Sequence, residues 1–285
     1  MTPPFFTIIV PTKNSFRTLA RAIESILSQT FIHFEILVCD GASTDSTLSL
    51  VNSFLDERLR VVSKPDQGIY SAMNSGIILA RGEWLYFMGG DDYLWDDKVL
   101  NDVFHHIRAA NPDFVYGNVC SPDLGDNYDG RFDIQKLHKK NICHQAVFCK
   151  RVVFDEVGMF DTRFRVLGDH DFTIRCFYRE DILKSYFNRK IAYYGPAGAS
   201  RTLDKIQLMK DRYLLANTVS QFADRRSVER LHERLAGQLV DTLGARVILF
   251  GGAKSTLRSF LAYDPVLMRR LRRAILNRTI SRFRK

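Results

Sequence analysis

The residues best suited to chemistry are acids set beside glycines or at the expected ends of strands. Gly89-Gly90-Asp91-Asp92 places two neighbouring carboxylates behind two glycines. Glycines admit close backbone approach or positive φ. Paired carboxylates at a strand end suit a hard divalent cation that keeps several waters and shares a substrate's phosphates. The same four residues also suit a polar turn with an aspartate capping the next helix. Asp40, in VCDGASTDST, follows an apolar run directly, and its carboxylate can accept a hydrogen bond from a base edge or a ribose hydroxyl. Thr44 and Asp45 of that stretch read equally well as helix-start residues. In KPDQGIYSAMNSGI, Lys64 to Gly68 form a loop and a helix opens at Ile69; a helix N-terminus favours phosphate, although an ordinary loop fits the spacing too. In VLGDHDFTIRC, Asp169 and Asp171 flank His170 at a helix start. Asp169 suits a general base, and both suit first-turn acids.

These residues need elements to hold them. FTIIV reads as a buried strand, and NSFRTLARAIESILSQT as a helix with Leu19, Ile23, Ile26 and Leu27 on one face and Asn14 or Ser15 as N-cap. FEILVC, LRVVS, EWLYFM and DFVYGNV read as further strands. STDSTLSLVNSFL, GIYSAMNSGIILA and DDKVLNDVFHHIRAA read as the helices between them. Such alternation predicts an α/β fold, a mostly parallel sheet flanked by helices. Ligands of such sheets bind outside the carboxyl ends of the strands, so Asp40 and the Asp91-Asp92 pair are expected over one crevice. After Gly130 the alternation fades: AVFCK suits a strand and DHDFTIRCFYRE a helix. The stretch from Leu203 to Leu243 is long, polar-faced and helical. The expected division is an α/β domain over 1–200, a helical portion over 201–264 and a basic tail over 265–285.

The charge distribution separates that tail from the rest. Net charge is +9 over 285 residues. Between Pro265 and Lys285 stand Arg269, Arg270, Arg272, Arg273, Arg278, Arg282, Arg284 and Lys285 with no acid, so the tail's eight positive charges leave one for everything before it. A nearly neutral globule with a cationic end excludes a uniformly basic nucleic-acid binder. Leu267, Leu271 and Ile275 share a helical face among the arginines, the pattern of a basic amphipathic helix on an anionic membrane surface. No stretch reads as a transmembrane helix. MTPPFFTIIVPTKN lacks the basic start and length of a signal peptide. Five cysteines without CxxC spacing read as free thiols of a reducing compartment rather than a zinc site.

Taken in order, TIIVPTKN, VCDGASTDST, KPDQGIYSAMNSGIILARGEWLYFMGGDD and CHQAVFCKRVVFDEVGMFDTRFRVLGDHDF resemble the family 2 glycosyltransferases over roughly residues 5 to 200. The likeness is strongest to the bacterial branch that assembles cell-surface polysaccharide. The resemblance implies a GT-A fold. It also implies inverting transfer of a sugar from a nucleotide-diphosphate donor to an acceptor hydroxyl, with Mn²⁺ or Mg²⁺ as cofactor. By that resemblance Pro11, Thr12 and Asn14 lie beneath the nucleoside, Asp40 contacts the base, and Asp66 with Gly68 form the donor-site loop. Asp91 matches the metal-binding acid of the DxD motif and Asp92 the acid after it. Asp169 matches the catalytic base, and His144 with Gln145 a His-Gln pair near the donor phosphates or the acceptor. Two positions depart from the pattern: Gly89 stands where an aspartate is frequent, and Lys13 where an aromatic is. The implied partners are a nucleotide sugar, a glycan or lipid-linked acceptor and an anionic membrane surface, with no nucleic acid. The implied location is cytoplasmic, peripheral on the inner face of the membrane. A catalytically inactive sugar-nucleotide-binding module and a sugar-phosphate nucleotidyltransferase are the alternatives. The second would carry a glycine-rich phosphate loop near the first strand, and PTKNSFRTL has none; no GxGxxG supports a dinucleotide oxidoreductase either.

Overall fold

The computed structural model describes residues 3–122, 125–128, 130–195 and 205–223. The chain divides into two compact units, Met1–Arg201 and Thr202–Lys285. In the first, β1 (Phe6–Thr12), β2 (Phe34–Asp40) and β4 (Trp84–Phe87) are buried along their whole length, as expected of strands covered by helices on both faces. Between them run α1 (Leu19–Leu27), α2 (Thr47–Ser53), β3 (Leu59–Ser63) and α3 (Ile69–Leu79). The order β3-β2-β1-β4 is entirely parallel. This is the parallel half of the sheet that the sequence predicts.

Beyond β4 the sheet becomes mixed. It continues through β8 (Val147–Lys150), β6 (Phe114–Ser121), β9 (Lys184–Tyr193) and β5 (Tyr93–Leu94), and β7 (Gly125–Tyr128) pairs with β6. β8 runs antiparallel to both β4 and β6. That direction matters for the site: the start of β8 lies at the edge where β4 ends. It carries a 3₁₀ turn, His144–Ala146, to that edge, and the Tyr86 hydroxyl of β4 donates to the Gln145 carbonyl (2.8 Å) to hold the turn there. The remaining helices of this unit are α4 (Val99–Ala110), α5 (Ile134–Leu137), α6 (Arg151–Val157) and α7 (Gly168–Tyr178). In the second unit, α8 spans Lys205–Ser220. The basic tail lies outside the described residues.

One local expectation is corrected. The first helix begins at Leu19, not beside Asn14 or Ser15. Asn14 has φ 52°, and its Oδ1 accepts from the Thr44 amide (2.8 Å), while the Ser15 amide donates to Thr47 Oγ1 (2.9 Å). The Asn14 side chain and the Ser15 amide thus tie this loop to the Thr44–Thr47 segment at the carboxyl edge. The ten-residue strand β9 had no clear period because most of it is only half-buried and carries Lys184, Arg189 and Lys190. All five cysteines are free thiols.

Candidate active site

Strand register sets the floor of the site. Thr12 of β1 pairs with Asp40 of β2, and Asp40 with Ser63 of β3, so three strands end in one row. Over this carboxyl edge opens a cavity of about 610 Å³. Its wall includes Pro11, Thr12, Asp66, Gly68, Asp91, Asp92, His144, Gln145 and Asp169. The eleven sequence-derived site residues fall on Pro11–Gly68, the 88–92 turn, the 144–145 turn and the start of α7; all but Asn14 and Asp40 reach the cavity. Asn14 is the loop tie described above. Asp40 is 2% exposed. Its carboxylate accepts from the Ser43 amide (3.0 Å), the Ser63 hydroxyl (2.6 Å) and the Ser43 hydroxyl, so it braces the loop behind the wall. Its position at the strand end stands, but its oxygens are held by neighbouring serines.

The turn after β4 carries the paired acids, and they differ. Asp91 faces the cavity, and the Arg21 guanidinium donates to its carbonyl (3.2 Å) while lying over the Tyr93 ring (4.4 Å). Asp92 is 1% exposed. Its Oδ2 accepts from the Gly89 amide (2.9 Å) and Gln145 Nε2 (2.8 Å), and its Oδ1 from the Gly195 amide (2.8 Å). Burial, and then the like charge of Asp91, push the Asp92 carboxyl up to about 6. In this structure the Asp92 oxygens are engaged by three donors, and it locks the turn to the His144–Ala146 segment. Gly89 belongs to the same lock. A Cβ there would sit 2.8 Å from Asp92 Oδ2 and 3.1 Å from Asp91 Oδ1. Glycine in place of the frequent aspartate is thus what lets both carboxylates sit where they do. Among the described residues, no group of three or more His, Cys, Asp or Glu side chains is arranged to hold a metal.

Across the cavity, Asp169 stands in the first turn of α7. Tyr70 donates its hydroxyl to Asp169 Oδ1 (3.0 Å), Asn141 Nδ2 donates to Oδ2 (2.7 Å), and His144 Nδ1 lies 3.4 Å from Oδ2. Burial raises the Asp169 carboxyl, but the hydrogen bond and charge of His144 outweigh it and hold the group below its ordinary value. Burial lowers His144 in turn, and the hydrogen bond and charge of Asp169, helped by Asp92 and Asp91, lift it above its ordinary value. Each member of the pair thus favours the charged form of the other. An ionised carboxylate at a cavity wall can accept a proton from a hydroxyl brought within reach.

The remaining wall comes from the loop before α3. Asp66 Oδ1 accepts from the Gly68 amide (2.9 Å), and Gly68 has φ +124°, which only glycine adopts readily. Arg165 bridges to this loop through the Gln67 carbonyl (3.0 Å). Sequence reasoning missed Tyr70, Asn141 and Arg165. Tyr70 and Asn141 stand next to recognised segments, two residues after Gly68 and three before His144, and nothing in their types marks them.

The profile of the family described as glycosyl transferase family 2 matches residues 7–172. A "PGL/p-HBAD biosynthesis glycosyltransferase" of Mycobacterium bovis is 41% identical over 216 residues, covering 74% of this chain and 84% of its own. The Escherichia coli protein WfaP, a "UDP-Glc:alpha-D-GlcNAc-diphosphoundecaprenol beta-1,3-glucosyltransferase", is 26% identical over 172 residues, 59% of this chain and 67% of its own. Among solved structures, the mannosyltransferase PcManGT of Pyrobaculum calidifontis, in complex with GDP-Man and Mn²⁺, superposes with a TM-score of 0.64 at 16% identity, covering 97% of this chain and 87% of that one. The fold is that of the GT-A glycosyltransferases, and the chain belongs to glycosyl transferase family 2.

Proposed function

We propose that the cavity performs inverting transfer of a hexose from a nucleotide-diphosphate sugar to an acceptor hydroxyl, the acceptor being a lipid-linked glycan of cell-surface polysaccharide or glycolipid synthesis. The observation that carries this reading is the convergence of Asp91 and Asp169, 78 positions apart in sequence, on one cavity from separate walls. The names of the mycobacterial relative and of WfaP support the glycolipid setting and the lipid-linked acceptor.

The residues present fit a divalent cation. Mg²⁺ and Mn²⁺ sites of this kind take one or two carboxylates and complete their shell with substrate phosphates and water. Asp91 offers one cavity-facing carboxylate, and Arg21 holds the backbone carbonyl of the same residue. Burial, and then the charge of Asp91, lift the Asp92 carboxyl, and a cation at Asp91 would offset the repulsion between the two acids. When bound, Mn²⁺ or Mg²⁺ neutralises the charge that builds on the departing diphosphate.

The chain's own residues do the rest. Thr12, Pro11 and the Asp66–Gly68 loop line the donor side. Asp169, already ionised, takes the proton from the acceptor hydroxyl as its oxygen bonds to the anomeric carbon; the bond from that carbon to phosphate oxygen breaks, and its electron pair leaves with the nucleoside diphosphate. A positioned base contributes about 10²–10⁴-fold. Among the described residues no helix is long and apolar enough to cross a membrane. In this reading the arginine-rich segment 265–285 attaches the enzyme to the inner face of the cytoplasmic membrane, where each basic residue near the surface adds about 1 kcal/mol. The domain over 1–200 carries the chemistry.

The test is consumption of UDP-glucose, UDP-N-acetylglucosamine, GDP-mannose and dTDP-glucose by the purified chain with and without Mn²⁺. Metal-dependent release of nucleoside diphosphate from at least one donor is expected. Binding of a donor without turnover, in the presence of membrane lipid extract, would favour the inactive binding module.

A further inference from the structure

Two buried polar atoms beside Asp169 have no hydrogen-bond partner among the described residues: Asn141 Oδ1 and His144 Nε2. Both side chains line the cavity. Neither atom is unpartnered through a loose side chain. A carboxylate only accepts, so the Asn141 amide must turn its NH₂ to Asp169 Oδ2 (2.7 Å), which points its oxygen elsewhere. The Asn141 backbone is fixed as well, because the Tyr128 hydroxyl donates to its carbonyl (3.0 Å). His144 likewise turns Nδ1 to Asp169 (3.4 Å), leaving Nε2 on the far side of the ring. Its 3₁₀ turn is clamped by Tyr86 through the Gln145 carbonyl and by Asp92 through the Gln145 amide.

A buried polar atom without a partner costs about 1–3 kcal/mol. Here the chain fixes one acceptor and one imidazole nitrogen on two side chains that meet the same carboxylate oxygen of its base, both on a cavity wall. A hydroxyl satisfies both atoms when the ring is doubly protonated, donating to Asn141 Oδ1 and accepting from Nε2–H. It cannot be the hydroxyl that attacks, since that one gives its proton to Asp169. It is a neighbour of it.

We propose that Asn141 and His144 form an acceptor-recognition pair that engages a hydroxyl adjacent to the attacking one, so that the enzyme selects carbohydrate acceptors with vicinal hydroxyls over lone alcohols. This rests on the transferase reading above. The Tyr128 ring, also on the cavity wall, stands beside Asn141 as a surface for a sugar ring.

The test uses the full chain with Mn²⁺ and whichever donor of the panel is consumed. The acceptors are the methyl glycosides of glucose, galactose, mannose and N-acetylglucosamine, the monodeoxy analogues of the glycoside used, and octan-1-ol as a lone alcohol. For the wild type, removing one hydroxyl next to the attacking position should lower kcat/KM roughly tenfold or more. In Asn141→Ala and Asn141→Leu the same removal should cost less than about twofold, because the protein partner is already gone. Each comparison is a ratio within one protein, so a general loss of stability or of Asp169 alignment cancels. His144→Gln should reduce the ratio partially. An undiminished deoxy penalty in both Asn141 variants overturns the inference, as does glycosylation of octan-1-ol while every glycoside is ignored, or donor hydrolysis with no glycoside used. Failure of the wild type to consume any donor refutes the transferase reading itself.

Discussion

Gly168→Ala offers a sharp test of how the base is held. By propensity alone the change should help, since glycine inside a helix costs about 0.5–1 kcal/mol relative to alanine. The structure gives the opposite sign. A Cβ on residue 168 would lie 2.8 Å from Tyr70 Cε2 and 2.9 Å from both Cδ2 and Cζ. Carbon contacts settle at about 3.5–4.0 Å, so the ring must retreat by roughly 0.7–1 Å. Tyr70 is buried and its ring packs on Phe160. Overpacking of this size costs about 1–3 kcal/mol. The retreat also draws the Tyr70 hydroxyl from Asp169, now 3.0 Å away, and a hydrogen bond to a charged group is worth about 1.5–3 kcal/mol. Net destabilisation of about 2–5 kcal/mol follows, with turnover down roughly tenfold as the base loses one of its anchors. Urea unfolding and donor turnover should be measured for Gly168→Ala, Tyr70→Phe and the double variant. The overpacking part of the stability cost, about 1–3 kcal/mol, should persist in the Tyr70→Phe background, because the ring remains, while the turnover cost should vanish, because the hydroxyl is gone. A Gly168→Ala protein as stable and as active as wild type would refute the reasoning.

Asp92 sets a pH signature. Its carboxyl rises from 3.8 to about 6 in the fold, so the folded state binds the proton more tightly and stability is lost as pH climbs through that window, by about 3 kcal/mol at about 1.4 kcal/mol per pH unit. Asp92→Asn should remove this part of the dependence, read as the difference between the two proteins' urea midpoints at pH 4 and pH 7. Glu35 is buried and accepts from Thr7 Oγ1, the Arg81 amide and Arg60 Nη1, each at 2.7 Å. Glu35→Leu should cost about 3–5 kcal/mol in unfolding free energy by orphaning these donors, with turnover per folded molecule unchanged. Liposome flotation of the full chain and of a chain lacking 265–285 should show binding to anionic vesicles only by the former; equal binding would remove the tail's role.

What the sequence reveals follows from where local pattern and tertiary contact coincide. β1, β2 and β4 are legible because strands buried on both faces are unbroken apolar runs, and the carboxyl-edge rule then places Asp91 correctly. The antiparallel return of β8 is not legible, because the direction of VFCK depends on pairing with EWLYF and not on its own residues. Without it, no argument brings His144 and Gln145 to the edge where β4 ends. The contrast between Asp91 and Asp92 is hidden for a related reason: both are aspartates in one turn. What separates them is Gln145, 53 positions on, and Gly195, 103 positions on. Asp40 shows the limit from the other side. Its strand-end position is readable, but the engagement of its oxygens by Ser43 and Ser63 depends on how β3 closes against β2.

The central claim is that Asp91 serves the donor and its metal while Asp169 serves the acceptor's proton. Calorimetric titration of the consumed nucleotide sugar with Mn²⁺, alongside turnover, separates the two in Asp91→Ala and Asp169→Asn. Asp169→Asn should bind donor within about twofold of wild type and turn over at least about 10²-fold more slowly, whereas Asp91→Ala should lose the Mn²⁺-dependent part of donor binding. Wild-type turnover by Asp169→Asn, or undiminished metal-dependent binding by Asp91→Ala, would contradict the account.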